Sequence, residues 1–210
     1  MKTCEYAGVP FTEPRSHPWV DVAGNPDCRY YDLTATPSHI RSSLEDFQHW
    51  SGYAAIEDFY RLLEELNQPT SALESNDCAF TGPHKSDQPM GAAALQGAFE
   101  CSGRVMVLFR ELRQNTANAR VEGLKDQLHH ALAELDPDFP RAMIGTTLIP
   151  VRYLMLPVDE QHGWQLMISF WAWGDTVADT MANLKRLVKN LALALRTIAL
   201  QTLSARAAHP

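Results

Sequence analysis

The chain has 210 residues, of which 45% are hydrophobic and 20% charged, and its formal net charge at pH 7 is −7. This composition is typical of a globular protein and excludes wholesale disorder and a collagen-like fold. The acidic balance argues against a dedicated nucleic-acid binder, which usually carries a basic excess, so nucleic acid is not an expected partner.

No segment of the sequence has the features of an export signal or a membrane span. The N-terminus lacks the apolar run of a signal peptide. The longest apolar stretch, residues 191–200, contains Arg196 and is well short of the roughly 18 residues that a membrane-spanning helix needs. We therefore expect a cytoplasmic protein without a membrane segment, whose four scattered cysteines stay reduced.

The acidic residues are concentrated in the first half of the chain. Residues 1–100 contain 15 acidic and 6 basic side chains, whereas residues 101–210 contain 10 acidic and 12 basic ones. The acidic half could offer a face to a basic partner, or it could serve only as a solubilising surface. The opposite balances also suggest that the two halves meet each other through charge.

Residues 1–36 contain four prolines between positions 10 and 26, too closely spaced for a regular helix. The same segment carries aromatic side chains that require burial, among them Trp19, Tyr30 and Tyr31. We predict an irregular, Pro-rich arm that wraps the rest of the protein.

Residues 37–67 have the pattern of an acidic helical segment. Thr36-Pro37 is a favourable helix start, and the helix is expected to run to about Trp50. Ser51-Gly52 then interrupts it. A second helix follows, with an apolar stripe that includes Ile56 and Leu63, and it ends before Pro69.

Residues 68–103 are rich in turn-forming residues and carry the weakest periodicity in the chain. We predict a loop or linker here, and a segment of this length without structure would be either a linker or functional. A short strand near residues 95–100 would form a hairpin with the strand that follows Gly103.

Residues 104–206 predict the body of the protein. A mostly apolar strand over residues 104–112 precedes a helix that Asn115-Thr116 would cap. A β-branched run over residues 142–156 is a second strand, at an edge or bulged because Pro150 cannot donate a hydrogen bond. A strand over residues 164–173 should pair with it in antiparallel fashion, and a long helix ends the chain.

This strand-helix-strand-strand-helix order predicts an α+β fold, a two-layer sandwich with both helices on one face of an antiparallel-rich sheet. The N-terminal arm and helical segment are additions to that body, and the whole is expected to form one compact unit.

The familiar catalytic signatures, such as a glycine-rich phosphate loop or a G-x-S-x-G elbow, are absent from the sequence. The best catalytic candidates are Cys78 as a nucleophile and His84 as its base, with Asp77 orienting the imidazole. The alternative is a buried cysteine beside an exposed histidine. Whether the protein is an enzyme therefore stays open, and the balance favours a protein that is not.

Three arginines in apolar strand contexts are candidates for binding an anion, because an unpaired buried guanidinium is costly. They are Arg104, Arg110 and Arg152. Each could instead pair within the chain, with Glu100, Glu111 or Asp175 as acidic partners.

The histidines do not predict a metal site. His129 and His130 are adjacent, so on a helix they point about 100° apart and cannot chelate one ion as an i, i+4 pair can. His39 and His49 have no obvious third ligand. We expect neither a metal nor a cofactor.

The last strand and the last helix carry more apolar surface than one packing interface needs. Trp171 and Trp173 share a strand face with Met167, and the helix has a heptad-like seam. Core packing alone could explain both surfaces. The residues that could alternatively form an interface are Met167, Trp171, Trp173, Leu187, Leu191, Leu195 and Ile198.

These observations predict a non-catalytic protein-binding or regulatory protein that acts through apolar sheet and helix surfaces. Its partner would be another protein or a second copy of the chain, as in a homodimer. The alternative is a small enzyme that uses the Cys78/His84 pair or an arginine-lined anion pocket.

Overall fold

The structure is a computed structural model, and it describes residues 1–5, 15–19, 31–86 and 97–208. The strands are β1 (Lys2–Glu5), β2 (Arg15–His17), β3 (Leu73–Lys85), β4 (Phe99–Phe109), β5 (Ala142–Tyr153) and β6 (His162–Gly174). The α-helices are α1 (His39–Ser43), α2 (Glu45–Gln48), α3 (Ala54–Leu66), α4 (Asn118–Leu135) and α5 (Val177–Ala208). Short 3-10 helices span Leu112–Thr116 and Val158–Glu160.

The described strands form one mixed sheet in the order β1-β5-β6-β4-β3, with β2 also paired to β5. The pairs β3–β4, β4–β6 and β6–β5 are antiparallel, whereas β1 and β2 run parallel to β5. The long helices α3, α4 and α5 pack against one face of this sheet. The predicted α+β sandwich with an antiparallel-rich sheet is therefore confirmed.

Most of the hydrophobic core lies between the sheet and the helices. Helix α5 contacts both α3 and α4 as well as the strands, so its apolar seam faces the core. The buried seam residues are Met181, Leu184, Leu187, Val188, Leu191, Leu195 and Ile198. Within the described ranges, no helix has the length and hydrophobicity needed to cross a membrane.

A smaller core covers the opposite face of the sheet. Strand β2 pairs with β5, yet the side chains of Arg15 and His17 reach Asp77 and Glu74 on the far strand β3. The arm therefore does wrap the body at its described residues, although it contains two short strands and is not wholly irregular. The small core comprises Met106, Leu108, Ile149, Val151, Tyr153 and Met167.

The prediction of a loop over residues 68–103 is wrong, because β3 occupies Leu73–Lys85 and β4 begins at Phe99. The pairing of β3 with β4 shifts register between Ser75 and Asp77, and again between Thr81 and His84. Each shift lets an irregular strand accommodate turn-forming residues that break the usual alternation. Because of those residues, the sequence pattern in this region does not predict a strand.

The predicted hairpin before Gly103 is also wrong where the structure describes it. Strand β4 continues through Gly103, whose position would place a Cβ atom 2.4 Å from Phe170 Cζ on the neighbouring strand. The glycine therefore permits close packing against Phe170 and does not mark a turn. Residues 95 and 96 of the predicted strand lie outside the described residues.

Two helix boundaries differ from the predictions. The helix expected from Pro37 to Trp50 breaks at Leu44 into α1 and α2, whereas the helix expected after it is confirmed as α3. Asn115 does not cap α4 but is buried in a 3-10 helix. Its amide accepts a hydrogen bond from the Phe109 backbone N–H and donates one to the Phe109 carbonyl, so it acts as a substitute peptide group at the end of β4.

Strand β5 is not at the edge of the sheet, because β6 lies on one side of it and β1 and β2 lie on the other. On the second side β1 pairs as far as Thr146 and β2 begins at Val151. Pro150 falls between these two partners. On that side the described residues offer it no partner strand, which is where a residue without an N–H is tolerated.

Ion pairs join the acidic half of the chain to the basic half. Each contributes little by itself at the surface, so they orient the halves more than they stabilise them. They support the interpretation that the two halves meet through charge. The pairs are Glu5–Lys125, Glu65–Arg196 and Asp77–Arg104.

The burial of α5 predicts different effects of two leucine substitutions on that helix. Leu191 is fully buried, whereas Leu193 is 43% exposed. Leu191→Ala should lower the free energy of unfolding by about 2–5 kcal/mol, because it leaves a cavity in the core. Leu193→Ala should change it by less than about 1 kcal/mol. Urea denaturation followed by circular dichroism measures both values, and equal losses would contradict this orientation of α5.

Candidate functional site

The residues predicted to be catalytic lie along β3 and do not come together. The thiol of Cys78 packs against the core under the helices, where burial raises its pKa well above the ordinary range. His84 lies six residues further along the strand, roughly 20 Å away for an extended chain. Its Nε2 atom is 3.3 Å from Glu100 Oε1. Asp77 interacts with Arg15 of β2, so these residues form no nucleophile–base pair.

Arg104 and Arg152 interact with separate groups within the chain. Arg104 Nη2 lies 3.5 Å from Asp77 Oδ2, and Arg152 Nε donates a hydrogen bond of 2.7 Å to Gln161 Oε1. The two side chains project from β4 and β5, which are separated by β6. The described residues therefore do not gather these arginines around one anion pocket.

Arg110 fastens the connection between α3 and β3. Its guanidinium donates hydrogen bonds to the backbone carbonyls of Leu66, Gln68 and Ser71 at 3.3, 2.8 and 2.9 Å. It also lies 3.9 Å from Glu74 Oε2. The role of Arg110 is thus to hold the backbone at the end of a helix, which satisfies carbonyls that have no partner within the helix.

The predicted interface residues are nearly all inside the molecule. Trp171 is partly exposed, and the Trp173 indole donates a hydrogen bond to Glu100. The predicted seam residues of α5 therefore face the core and are not available to a partner. The buried members of the set are Met167, Trp173, Leu187, Leu191, Leu195 and Ile198.

A buried polar cluster lies on the side of the sheet opposite the helices, and sequence patterns did not indicate it. His17 Nε2 on β2 lies 3.4 Å from Glu74 Oε1 on β3. Asn76 Nδ2 donates hydrogen bonds to His17 Nδ1 at 3.1 Å and to Gln165 Oε1 on β6 at 3.0 Å. The Tyr153 ring packs edge-on against the imidazole. Because Nδ1 accepts, the proton of a neutral His17 resides on Nε2 and points towards Glu74.

Burial favours the neutral forms of both members of the central pair. It raises the pKa of Glu74 from 4.5 to about 7, and the nearby Arg110 guanidinium opposes this shift only in part. Burial also lowers the pKa of His17 below its ordinary 6.5, with a smaller opposing effect from Asp32. The two groups therefore lie in close contact near neutral pH without forming a full ion pair.

A bulge in β3 is what assembles the cluster. Ser75 and Asp77 face successive residues of β4, Val107 and Met106, so Asn76 is the extra residue between them. The insertion lets Asn76 and Asp77 both reach β2. The alternating pattern of a regular strand would put neighbours on opposite faces. The run of polar residues Ser75-Asn76-Asp77 was the available signal, and it also fits a turn.

The chemistry open to this cluster is limited by its burial. His17 is 7% exposed and Glu74 is 8% exposed, so neither group is accessible to a substrate in this conformation. Among the described residues, no group of three or more His, Cys, Asp or Glu side chains could hold a metal ion. The cluster's evident role is to attach β2 to β3 across the sheet.

An apolar groove lies on the helix side, between the C-terminal end of α3 and the C-terminal half of α5. Its volume is about 270 Å³, and an ion pair between Glu65 and Arg196 lies at its edge, with a shortest distance of 2.6 Å. Leu200 is 59% exposed at its margin. Apolar residues that line it include Leu62, Leu66, Ala192, Leu195, Ala199, Leu200 and Leu203.

A second exposed apolar feature is the connection between β5 and β6. Met155 is 73% exposed and Val158 is 76% exposed in this connection. Leu154, next to Met155, is 37% exposed. Scattered exposed apolar residues of this kind are common on protein surfaces.

Comparisons of this chain with protein-family models, with curated proteins and with solved structures find no match. Interpretation of the site therefore depends on the geometry described above.

The raised pKa of Glu74 predicts a pH-dependent contribution to stability. Between pH 4.5 and about 7 the folded protein keeps a proton on Glu74 that the unfolded chain has lost, so stability falls as the pH rises and levels off above 7. Glu74→Gln cannot titrate and removes this effect. The difference in free energy of unfolding, wild type minus Glu74→Gln, should be about 2–3 kcal/mol larger at pH 5 than at pH 8.

Chemical denaturation at both pH values measures this difference. His17 contributes in the opposite direction, since its lowered pKa makes stability rise with pH up to 6.5. Both proteins contain His17, so the comparison isolates Glu74. A difference that does not change with pH would contradict the buried, protonated carboxyl.

The raised pKa of Cys78 predicts an unreactive thiol. At pH 8, Ellman's reagent should modify Cys78 at least about tenfold more slowly in the folded protein than in the urea-unfolded chain. The thiolate is the reacting form, and burial disfavours it in the folded protein. Peptide mapping by mass spectrometry assigns the modified cysteine. Equally fast modification in the folded protein would restore Cys78 as a candidate nucleophile.

Proposed function

We propose that this protein is a non-catalytic binding or regulatory protein that contacts a protein partner through the apolar groove between α3 and α5. The observation that carries the proposal is the groove itself, with its leucine and alanine lining and the exposed Leu200 at its margin. Exposed apolar surface arranged in a groove is a common feature of protein interaction sites. We place the protein in the cytoplasm, where its thiols would stay reduced.

The groove also gives the proposed surface a definite shape. Leu195 and Leu66 are buried, while Leu200 rises beside them. A partner's apolar side chain seated there would lose most of its contact with water. Burial of one leucine side chain contributes about 1.5–3 kcal/mol, so a few such contacts suffice for a regulatory interaction.

The test begins with a photo-crosslinking amino acid at position 203, which lines the groove. The captured protein is identified, purified and titrated against wild type, Leu200→Glu and Met155→Glu by calorimetry. Leu200→Glu should weaken binding at least about tenfold, because it puts a charge into the apolar contact. Met155→Glu is the matched control on the β5–β6 connection and should bind as wild type does.

Sedimentation velocity examines the case in which the captured protein is a second copy of the chain. Wild type should then dimerise and Leu200→Glu should remain monomeric. A partner that binds Leu200→Glu as tightly as wild type would exclude the groove. A monomeric protein with no partner that depends on Leu200 would overturn the proposed function.

A further inference from the structure

The exposed side of α5 has a charge opposite to that of the whole chain. Within residues 177–205 the basic residues are Lys185, Arg186, Lys189 and Arg196, and the one acidic residue is Asp179. The complete protein carries a net charge of −7. The helix that borders the groove is therefore locally basic on an acidic protein.

Two of these cations have no acidic partner in the described part of the chain. Arg186 forms an ion pair with Asp136, and Arg196 forms one with Glu65. Lys185 and Lys189 are exposed, and neither forms an ion pair with a described residue. They are the cations of α5 that remain available to a partner.

The unpaired lysines and the exposed leucines occupy one side of the helix. Lys185, Lys189 and Leu193 follow each other at intervals of four residues, and Leu200 comes seven residues after Leu193. These intervals return to the same helix face. The face is basic in its first half. Its second half, which reaches the groove, carries Leu193 and Leu200 together with Arg196, whose charge is paired with Glu65. Lys185 and Leu200 are about 22 Å apart along the helix axis.

From this arrangement we infer that the partner segment is an amphipathic helix, with leucine-like side chains for the groove and a cluster of acidic residues at one end for Lys185 and Lys189. The inference rests on the proposed function and specifies the partner's chemistry. Two parallel α5 helices from separate copies would bring like charges together, and an antiparallel pair would place the lysines of one copy against the leucines of the other, so both arrangements disfavour a symmetric α5–α5 dimer. A segment of about 15 residues would span the face.

The experiment uses synthetic 16-residue helical peptides labelled with rhodamine, titrated against the full protein and followed by fluorescence anisotropy. All peptides carry the same leucine stripe, and three glutamates or three lysines occupy one end, each made in both orientations. The glutamate peptide in its better orientation should bind wild type roughly tenfold more tightly than either lysine peptide at low salt. That preference should shrink as salt is raised.

Charge-reversal variants assign the preference to α5. Lys185→Glu with Lys189→Glu should reverse it, whereas Lys2→Glu with Lys85→Glu makes the same change in net charge on the sheet and should leave it intact. Both lysine pairs are exposed, so neither double variant disturbs the core.

The outcomes separate this inference from the proposed function. If glutamate and lysine peptides bind equally well and Leu200→Glu abolishes both interactions, the groove is supported as the binding site. The inference of an acidic partner segment is then wrong. A preference that survives Lys185→Glu with Lys189→Glu also overturns the inference. If no peptide binds, or if Leu200→Glu leaves the affinity unchanged, the groove is not the binding site, and both the proposed function and this inference are wrong.

Discussion

Burial of the inner face of α5 is the interaction on which the rest of the structure depends. This helix contacts α3 on one flank, α4 on the other and the central strands beneath. Its seam of leucine, valine and methionine side chains is almost completely removed from water. Because one helix serves three neighbours, its apolar surface exceeds what an ordinary amphipathic helix needs. The outer side of the same helix is not needed for core packing, and its side chains are available to bind a partner.

Charge determines how the acidic and basic halves of the chain fit around that helix. Glu65 on α3 meets Arg196 on α5, and Asp77 on β3 lies near Arg104 on β4. On the far side of the sheet, burial raises the pKa of Glu74 and lowers that of His17, so their contact is not a full ion pair near neutral pH. The same types of side chain thus orient the halves where water is present and attach β2 where it is scarce.

Hydrophobic periodicity predicted the helices and strands whose apolar residues recur at regular intervals. The stripes of α3 and α5 and the apolar runs of β5 and β6 were each recognisable, and so the α+β class followed. Strand β3 was missed because its bulge at Asn76 breaks the alternation on which strand prediction depends. The polar cluster was missed for a further reason, since His17 and Glu74 are far apart in sequence and only the path of β2 joins them. The groove likewise requires knowing that α3 and α5 are neighbours.

The hydrogen bonds from Arg110 have a consequence for the groove on the other side of α3. The carbonyls that this guanidinium holds belong to Leu66, Gln68 and Ser71, and the same three residues form one wall of the groove. That wall includes the connection after α3, and such connections are usually more mobile than the elements they join. Here its conformation is set in the free protein, so a partner meets a preorganised surface and loses little conformational entropy in ordering it.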